Sequence, residues 1–317
     1  MIFKITNEHS GRSLLSFLRS TLHISSSALA ALKRDPRGLE VNGVHATVRY
    51  VLKENDVLFV NEEDSSESVS ETIIPVNISI NTVFENDDVI LIDKPANMPT
   101  HPSHGHVDDT LANALAYVFM ERKRPFVFRP IGRLDRNTSG ISLIAKHQIS
   151  ASFLFFARQK HLISKKYIAI LEGRVDSDGS LQVIDNYMKR SDDSIIVRCV
   201  SSPDEEGSFR AITHWRLLFA NDEISVVEAI PQTGRTHQLR VHFSHMGHPI
   251  LGDDVYGRVS DVIDRHALHA ASLSLPIPYC ENDIEEFVSL PPEDMVRAAK
   301  EYGCNLVAVF NEKFNSK

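Results

Sequence analysis

The densest run of reactive side chains is Gly132-Arg-Leu-Asp-Arg-Asn-Thr-Ser-Gly140, which sets Asp135 between Arg133 and Arg136. Neighbouring cations favour the charged form of a carboxylate, so Asp135 is expected to stay ionised even where water is partly excluded. An ionised, dry carboxylate can serve as a nucleophile. The same trio also describes a structural ion pair, and residue types alone do not separate the two readings. Asn137, Thr138, Ser139 and Gly140 supply an amide, two hydroxyls and a flexible joint with which to fix the loop.

A second run, Pro231-Gln-Thr-Gly-Arg-Thr-His-Gln-Leu-Arg-Val-His242, opens on a tight turn at Gly234. Arg235 then stands at the mouth of an amphipathic helix, with Arg240 somewhat more than one turn later. Arg235 could approach a carboxylate from another segment, or an RNA phosphate. His237, His242, His245 and His248 lie close together, and imidazoles three residues apart can share a helix face around a metal ion. No Cys pair or HExxH accompanies them, and His242, Phe243 and Met246 also suit a packed face, so no metal is assigned. Tyr167 begins an apolar stretch after Lys165 and Lys166. A tyrosine at a strand mouth can stack on a base and offer its phenol oxygen, or simply pack at a sheet edge. P-loop, nucleophile-elbow and dinucleotide-binding glycine patterns are absent from the sequence.

These segments need a scaffold. Val89–Ile92, Ile141–Ala145, Tyr167–Leu171 and Ile224–Ala229 read as strands, and Thr110–Met120, 148–160 and 236–246 as helices. Pro291-Pro292 opens a last helix that stops at Gly303. Without a regular βαβ rhythm, the fold class is α+β, with a mixed, mainly antiparallel sheet flanked by helices. Upstream, Leu14, Leu15, Leu18 and Leu22 recur at helical spacing and Ser25–Ser27 can cap a second helix. Leu39-Glu-Val-Asn-Gly reads as a strand entering an Asn-Gly turn, and Val57–Val60 as another strand. Residues 62–72 hold five acids and four serines and almost nothing apolar, the composition of a flexible linker. The division expected is 1–61, a linker 62–78, and a large unit 79–317.

Net charge is −8 over 317 residues, yet residues 121–174 hold twelve Lys/Arg against three Asp/Glu. A basic stretch in an acidic protein can still form a phosphate-binding face. Three scattered cysteines fit a reducing compartment better than a disulfide framework. The amino terminus lacks a secretory pattern and no apolar run is long enough for a bilayer, so a soluble, cytoplasmic protein without a membrane partner is expected.

Taken together, the motifs resemble the RluA family of RNA pseudouridine synthases. The likeness rests on Gly132–Gly140, on Thr233-Gly-Arg-Thr-His-Gln-Leu-Arg-Val-His242 followed by His248-Pro-Ile-Leu-Gly-Asp-Asp-Val-Tyr-Gly257, and on Asp93-Lys-Pro-Ala and Arg265-His-Ala-Leu-His-Ala. It covers nearly all of residues 80–276. The first sixty residues resemble the S-four-like RNA-binding module, although Leu15 and the Lys33–Arg37 turn depart from its pattern.

The resemblance implies isomerisation of uridine to pseudouridine in structured RNA, large-subunit ribosomal RNA first and transfer RNA as the alternative. That reaction is redox-neutral and needs no metal or cofactor; no obligate protein partner is expected, and the oligomeric state is open with a monomer as the default. The resemblance makes Asp135 the catalytic aspartate, Arg235 the arginine that pairs with it, and Tyr167 the residue that stacks on the flipped uracil and helps remove its carbon-5 proton. Arg133 would enter the RNA stack and Leu268 would wall the base pocket. Arg136, Lys165 and Lys166 would contact RNA. Gly132 stands where the family usually has His, which leaves RNA contacts or loop rigidity there in question. The competing readings are a non-catalytic RNA-binding or ribosome-assembly protein and a His-rich metal enzyme.

Overall fold

The computed structural model describes residues 1–63, 73–276 and 283–314. Most of the acidic stretch read as a linker, residues 64–72, lies outside them. Residues 74–78, placed in the same linker, instead run along a helix: Asn113 Nδ2 donates to the Ile74 carbonyl at 2.7 Å, and Val76 N donates to the Asn113 carbonyl at 3.2 Å.

The N-terminal elements are β1 (Ile2–Lys4), α1 (Leu14–Ser20), α2 (Ser26–Arg34), β2 (Leu39–Val41), β3 (Val44–His45) and β4 (Val57–Val60). The strands form an antiparallel sheet in the order β1-β4-β2-β3. Serines start both helices, Ser13 accepting from Ser16 N and Ser25 from Ala28 N, each at 3.2 Å. Asn42 and Gly43, with φ of 53° and 77°, make the two-residue turn between β2 and β3 that the Asn-Gly pair predicts. Leu14, Phe17, Leu18, Leu29 and Leu32 pack on Leu39, Val41, Leu58 and Val60, a core of their own.

The large unit holds β5 (Asn81–Glu85), β6 (Val89–Lys94), α3 (Leu111–Glu121), β7 (Arg129–Pro130), β8 (Ser139–Ala145), α4 (Gln148–Gln159), β9 (Ser164–Glu172), β10 (Gln182–Arg190), β11 (Arg198–Ser201), β12 (Phe209–Ala220), β13 (Ile224–Pro231), α5 (Gln238–His245), β14 (Leu268–Pro276), β15 (Ile284–Val288), α6 (Glu293–Glu301) and α7 (Leu306–Phe314). Its sheet runs β11-β10-β12-β13-β9-β14-β8-β6-β5, with β15 beside β14 and β7 beside β8. Among the described strands, only β14 and β8 pair in parallel. The α+β class and the mainly antiparallel sheet agree with the sequence reading.

Strands β6 and β8 are apolar throughout because both faces are covered. Val89, Leu91, Ile141, Leu143 and Ala145 face α4, whereas Ile90, Ile92 and Ile144 face α3. Helix α4 also meets the N-terminal unit. Ile149 joins that unit's core, Ser152 Oγ donates to Ser25 Oγ at 3.0 Å, and the Phe156 ring stacks on His23 with centroids 3.4 Å apart.

Two elements depart from the sequence reading. The helix after Pro292 ends before Gly303 as expected, but it is not the last, because α7 follows and buries Leu306 and Phe310. Strands β10 and β12, nine and twelve residues long, carry no unbroken apolar signal. The inward positions of β12 are Ala211, Thr213 and Trp215, and two of these are small or polar.

Candidate active site

Asp135 sits on the loop between β7 and β8, and three of that loop's carbonyls are held from elsewhere in the chain. Thr100 Oγ1 donates to the Leu134 carbonyl at 2.9 Å, Lys94 Nζ to that of Arg136 at 3.1 Å, and Arg265 Nη1 to that of Asn137 at 3.0 Å. Lys94 is fully buried and donates also to the Pro95 and Met98 carbonyls, both at 2.8 Å. Burial and the Arg265 charge pull its ammonium down to about 7, against the opposing fields of Asp135 and Asp93. The three acceptors compensate the buried charge with hydrogen bonds. Arg265 is itself fixed by Asp294 at 2.7 Å, so the loop is tied to α6.

Small residues bring the loop to its neighbours. Gly140 pairs with Ala270 of β14, which pairs with Tyr167 of β9, which pairs with Ala229 of β13. A Cβ on Gly140, whose φ is +108°, would lie 2.3 Å from the Ala270 carbonyl oxygen, so a side chain there would force β8 away from β14. The result is a row across four strands in which Tyr167 is the bulky member.

On the far side, Gln238 at the start of α5 stitches the Thr233–Thr236 turn. Its Oε1 accepts from Thr233 Oγ1 at 2.7 Å and from Arg235 N at 3.1 Å. Its Nε2 donates to the Ile212 carbonyl and to Thr213 Oγ1, both at 2.9 Å. All four hydrogen-bonding positions of the amide are therefore used.

The loop, the row and the turn enclose a cavity of about 290 Å³. That volume suits one base with part of its sugar. Asp135, Tyr167, Arg235, Arg133, Lys165 and Leu268 all line it. Arg136 and Lys166 do not. Arg136 bonds Asn97 Oδ1 at 2.5 Å, and Lys166 is paired with Glu286 at 2.7 Å. Part of the basic stretch is likewise spent on ion pairs, with Arg122 and Lys146 both on Glu85.

The two arginines of the second motif are engaged differently. Arg235 makes no ion pair with Asp135 among the described residues. Its guanidinium lies 5.1 Å above the Phe209 ring centroid, and its Nε donates to the Arg210 carbonyl at 3.1 Å. Arg240, also on the cavity wall, holds Asp253 through two 2.7 Å bonds, and both side chains are buried. Burial works against the Arg240 charge, but Asp253 and then Asp135 more than offset it, holding the group above the ordinary arginine range. Burial, followed by the Asp135 charge, pushes the Tyr167 phenol well above the usual tyrosine range. Asp135 thus acts electrostatically on Tyr167, Arg240, His237 and Lys94.

The clustered histidines go to separate partners: His237 to Tyr256 Oη at 2.8 Å, His242 to Thr213 Oγ1 at 3.0 Å and His248 to the Glu172 carbonyl at 3.0 Å. Among the described residues no group of three or more His, Cys, Asp or Glu is arranged to hold a metal ion. No described helix is long and apolar enough to cross a membrane.

Residues 88–245 match the sequence profile of the RNA pseudouridylate synthase family. The chain is 36% identical over 280 residues, 88% of its length and 95% of the relative's, to the Bacillus subtilis protein named uncharacterized RNA pseudouridine synthase YjbO. The chain belongs to the RluA family of RNA pseudouridine synthases. It is 35% identical over 252 residues to ribosomal large subunit pseudouridine synthase D of Borreliella burgdorferi, covering 78% of this chain and 75% of that one. Human RNA pseudouridylate synthase domain containing 1 superposes with a TM-score of 0.54 at 29% identity, covering 68% of this chain and 84% of that one. The protein is therefore an isomerase acting on uridine in RNA, and the cavity lies within the matched region apart from Leu268.

Three buried histidines behind this RluA-family site set an acid limit. Desolvation holds His266 at about 3 and His269 and His242 at about 4, below the ordinary 6.5. His266 bonds Thr138 Oγ1 at 2.8 Å and His269 bonds Ser139 Oγ at 3.0 Å, so two of them brace the Asp135 loop. Below pH 6.5 the unfolded chain takes up protons that the folded chain refuses. Stability is then expected to be full above that pH and to fall toward pH 4, by about 1.4 kcal/mol per unit for each such proton. Urea midpoints at several pH values between 7.5 and 4.5 check this, and a flat profile would contradict it.

Proposed function

We propose that the protein converts specific uridines to pseudouridine in large-subunit ribosomal RNA, with Asp135 as the attacking carboxylate. The observation that carries this is a single cavity in which Asp135, Tyr167 and Arg240 meet, lined by five Lys/Arg side chains and one acid. The relatives named ribosomal large subunit pseudouridine synthase D, from Borreliella burgdorferi and Zymomonas mobilis, support the substrate class.

The target base is extruded from its stem, at a cost of a few kcal/mol that stacking and hydrogen bonds recover. Asp135 forms a covalent bond with the base or with the anomeric carbon, the bond from N1 to the sugar breaks, and the base turns and rejoins through carbon 5. Tyr167 stays a neutral phenol at ordinary pH, so we assign it to stacking on the uracil. The freed Asp135 carboxylate is then the stronger base for the carbon-5 proton. Arg240, braced by Asp253, takes the counter-ion role assigned to Arg235 from the sequence. Arg235, Arg133 and Lys165 at the cavity, with Arg136 and Lys166 outside it, contact RNA, and Leu268 walls the base.

The N-terminal unit, residues 1–61, is read as an S-four-like module that grips a nearby stem, and the protein as a cytoplasmic monomer. The test is tritium release from carbon-5-labelled uridine in large-subunit ribosomal RNA transcripts. Release is expected there and not from transfer RNA. Release from transfer RNA alone would change the substrate, and release from neither would favour a binding protein without catalysis.

A further inference from the structure

Arg158 has no place in the roles above, yet its side chain lies in the cavity wall. It stands in the last turn of α4, where the helix dipole favours a cation. From there its guanidinium reaches between the two loops that frame the site. Nη1 is 3.5 Å from where a Cβ on Gly132 would be, and Nη2 is 2.6 Å from the same position on Gly234. Both loops present glycine where the guanidinium passes. A Cβ on Gly132 would meet Nη1 at ordinary contact distance, and the φ of +95° there favours glycine, so the guanidinium passes a position that carries no side chain.

The other cations of the cavity are mostly engaged. Arg240 is on Asp253, Arg235 on the Arg210 carbonyl, and Lys165 on the Ile141 carbonyl at 3.3 Å. Arg158 has no hydrogen bond or ion pair with any described residue, and it is exposed. A planar fork of five donors with no acceptor among the described residues is matched to a bidentate anion from outside. In a site that takes RNA, the anion at hand is a phosphodiester.

We propose that Arg158 binds a backbone phosphate of the RNA strand carrying the target uridine, taking up the position left open by Gly132. This deepens the RNA isomerase reading and rests on it. Through that phosphate Arg158 fixes how far the extruded nucleotide enters, which makes it a substrate-binding residue. Its charge also reaches inward, opposing the rise of the Tyr167 phenol and, after burial, lowering Lys165 to about 8.

The experiment measures equilibrium binding of a large-subunit ribosomal RNA transcript at several salt concentrations, all in the Asp135→Asn background so that turnover plays no part. Adding Arg158→Gln is expected to weaken binding about ten-fold and to reduce the slope of log K against log salt by about 0.7–0.9, the value of one phosphate contact. Arg158→Lys keeps the charge and should restore the slope while recovering only part of the affinity. In the active enzyme, Arg158→Gln should raise KM by a larger factor than it lowers kcat. An unchanged slope, or a loss confined to kcat, would overturn the phosphate assignment. A reduced slope in a protein that never releases tritium would leave Arg158 in place and remove the isomerase reading instead.

Discussion

Asp135→Asn is expected to lower tritium release on the order of 10⁴-fold or more while leaving the fold intact, the scale on which losing a nucleophile registers. The replacement is nearly isosteric, and the side chain is only half-buried in a loop whose anchors are its own carbonyls. Stability should therefore change by no more than about 1 kcal/mol. RNA binding should persist and tighten slightly, because one negative charge is removed from a cavity otherwise lined by cations. Wild-type release from the variant would end the nucleophile assignment. The Tyr167 phenol offers a second readout. With the Asp135 charge gone, its midpoint should fall, while burial, the larger cause, keeps it above the ordinary tyrosine range.

The largest structural effect belongs to Arg240. Arg240→Gln leaves Asp253, which is fully buried, without its bidentate partner. Breaking a buried pair from one side costs about 3–5 kcal/mol, a large share of the stability of an ordinary domain. Asp253 still accepts from Val255 N and Tyr256 N at 3.1 and 3.0 Å, so it should remain charged near neutral pH and relieve the penalty by taking a proton in acid. The double variant Arg240→Gln/Asp253→Asn removes both charges at similar volume and should regain most of the urea midpoint. Tritium release should stay low in the double variant, since Asp135 has lost its counter-ion. Full recovery of both quantities would show that Arg240 serves only the fold.

The two arginines show what the sequence could and could not tell. Asp135 and Tyr167 are legible as candidates, and β8 and β9 as strands, because the motifs are contiguous and both strands are apolar runs. The resemblance pointed to Arg235, and the motif alone does not tell that Arg240 is the one buried at the cavity wall. Which one turns inward depends on the left-handed backbone at His237, which sets the start of α5, and on Asp253, thirteen residues downstream of Arg240. Arg158 gave less signal still. An arginine near a helix end looks solvated until the folded loops at Gly132 and Gly234 are seen on either side of it. Strands β10 and β12 escaped for a similar reason, since half of their alternation is carried by small and polar residues such as Ala211 and Thr213.

The middle of the large sheet is completed late in the chain. Strand β14, residues 268–276, slots between β9 and β8, so the two halves of the sheet cannot join until more than two-thirds of the polypeptide has emerged. Until then the Asp135 loop lacks Arg265, and Tyr167 lacks one of its flanking alanines. A ribosome-bound chain cut short before residue 265 would thus carry every residue of the signature motif and have no working site. Such long-range closure is slow, and it exposes unpaired strand edges while it waits.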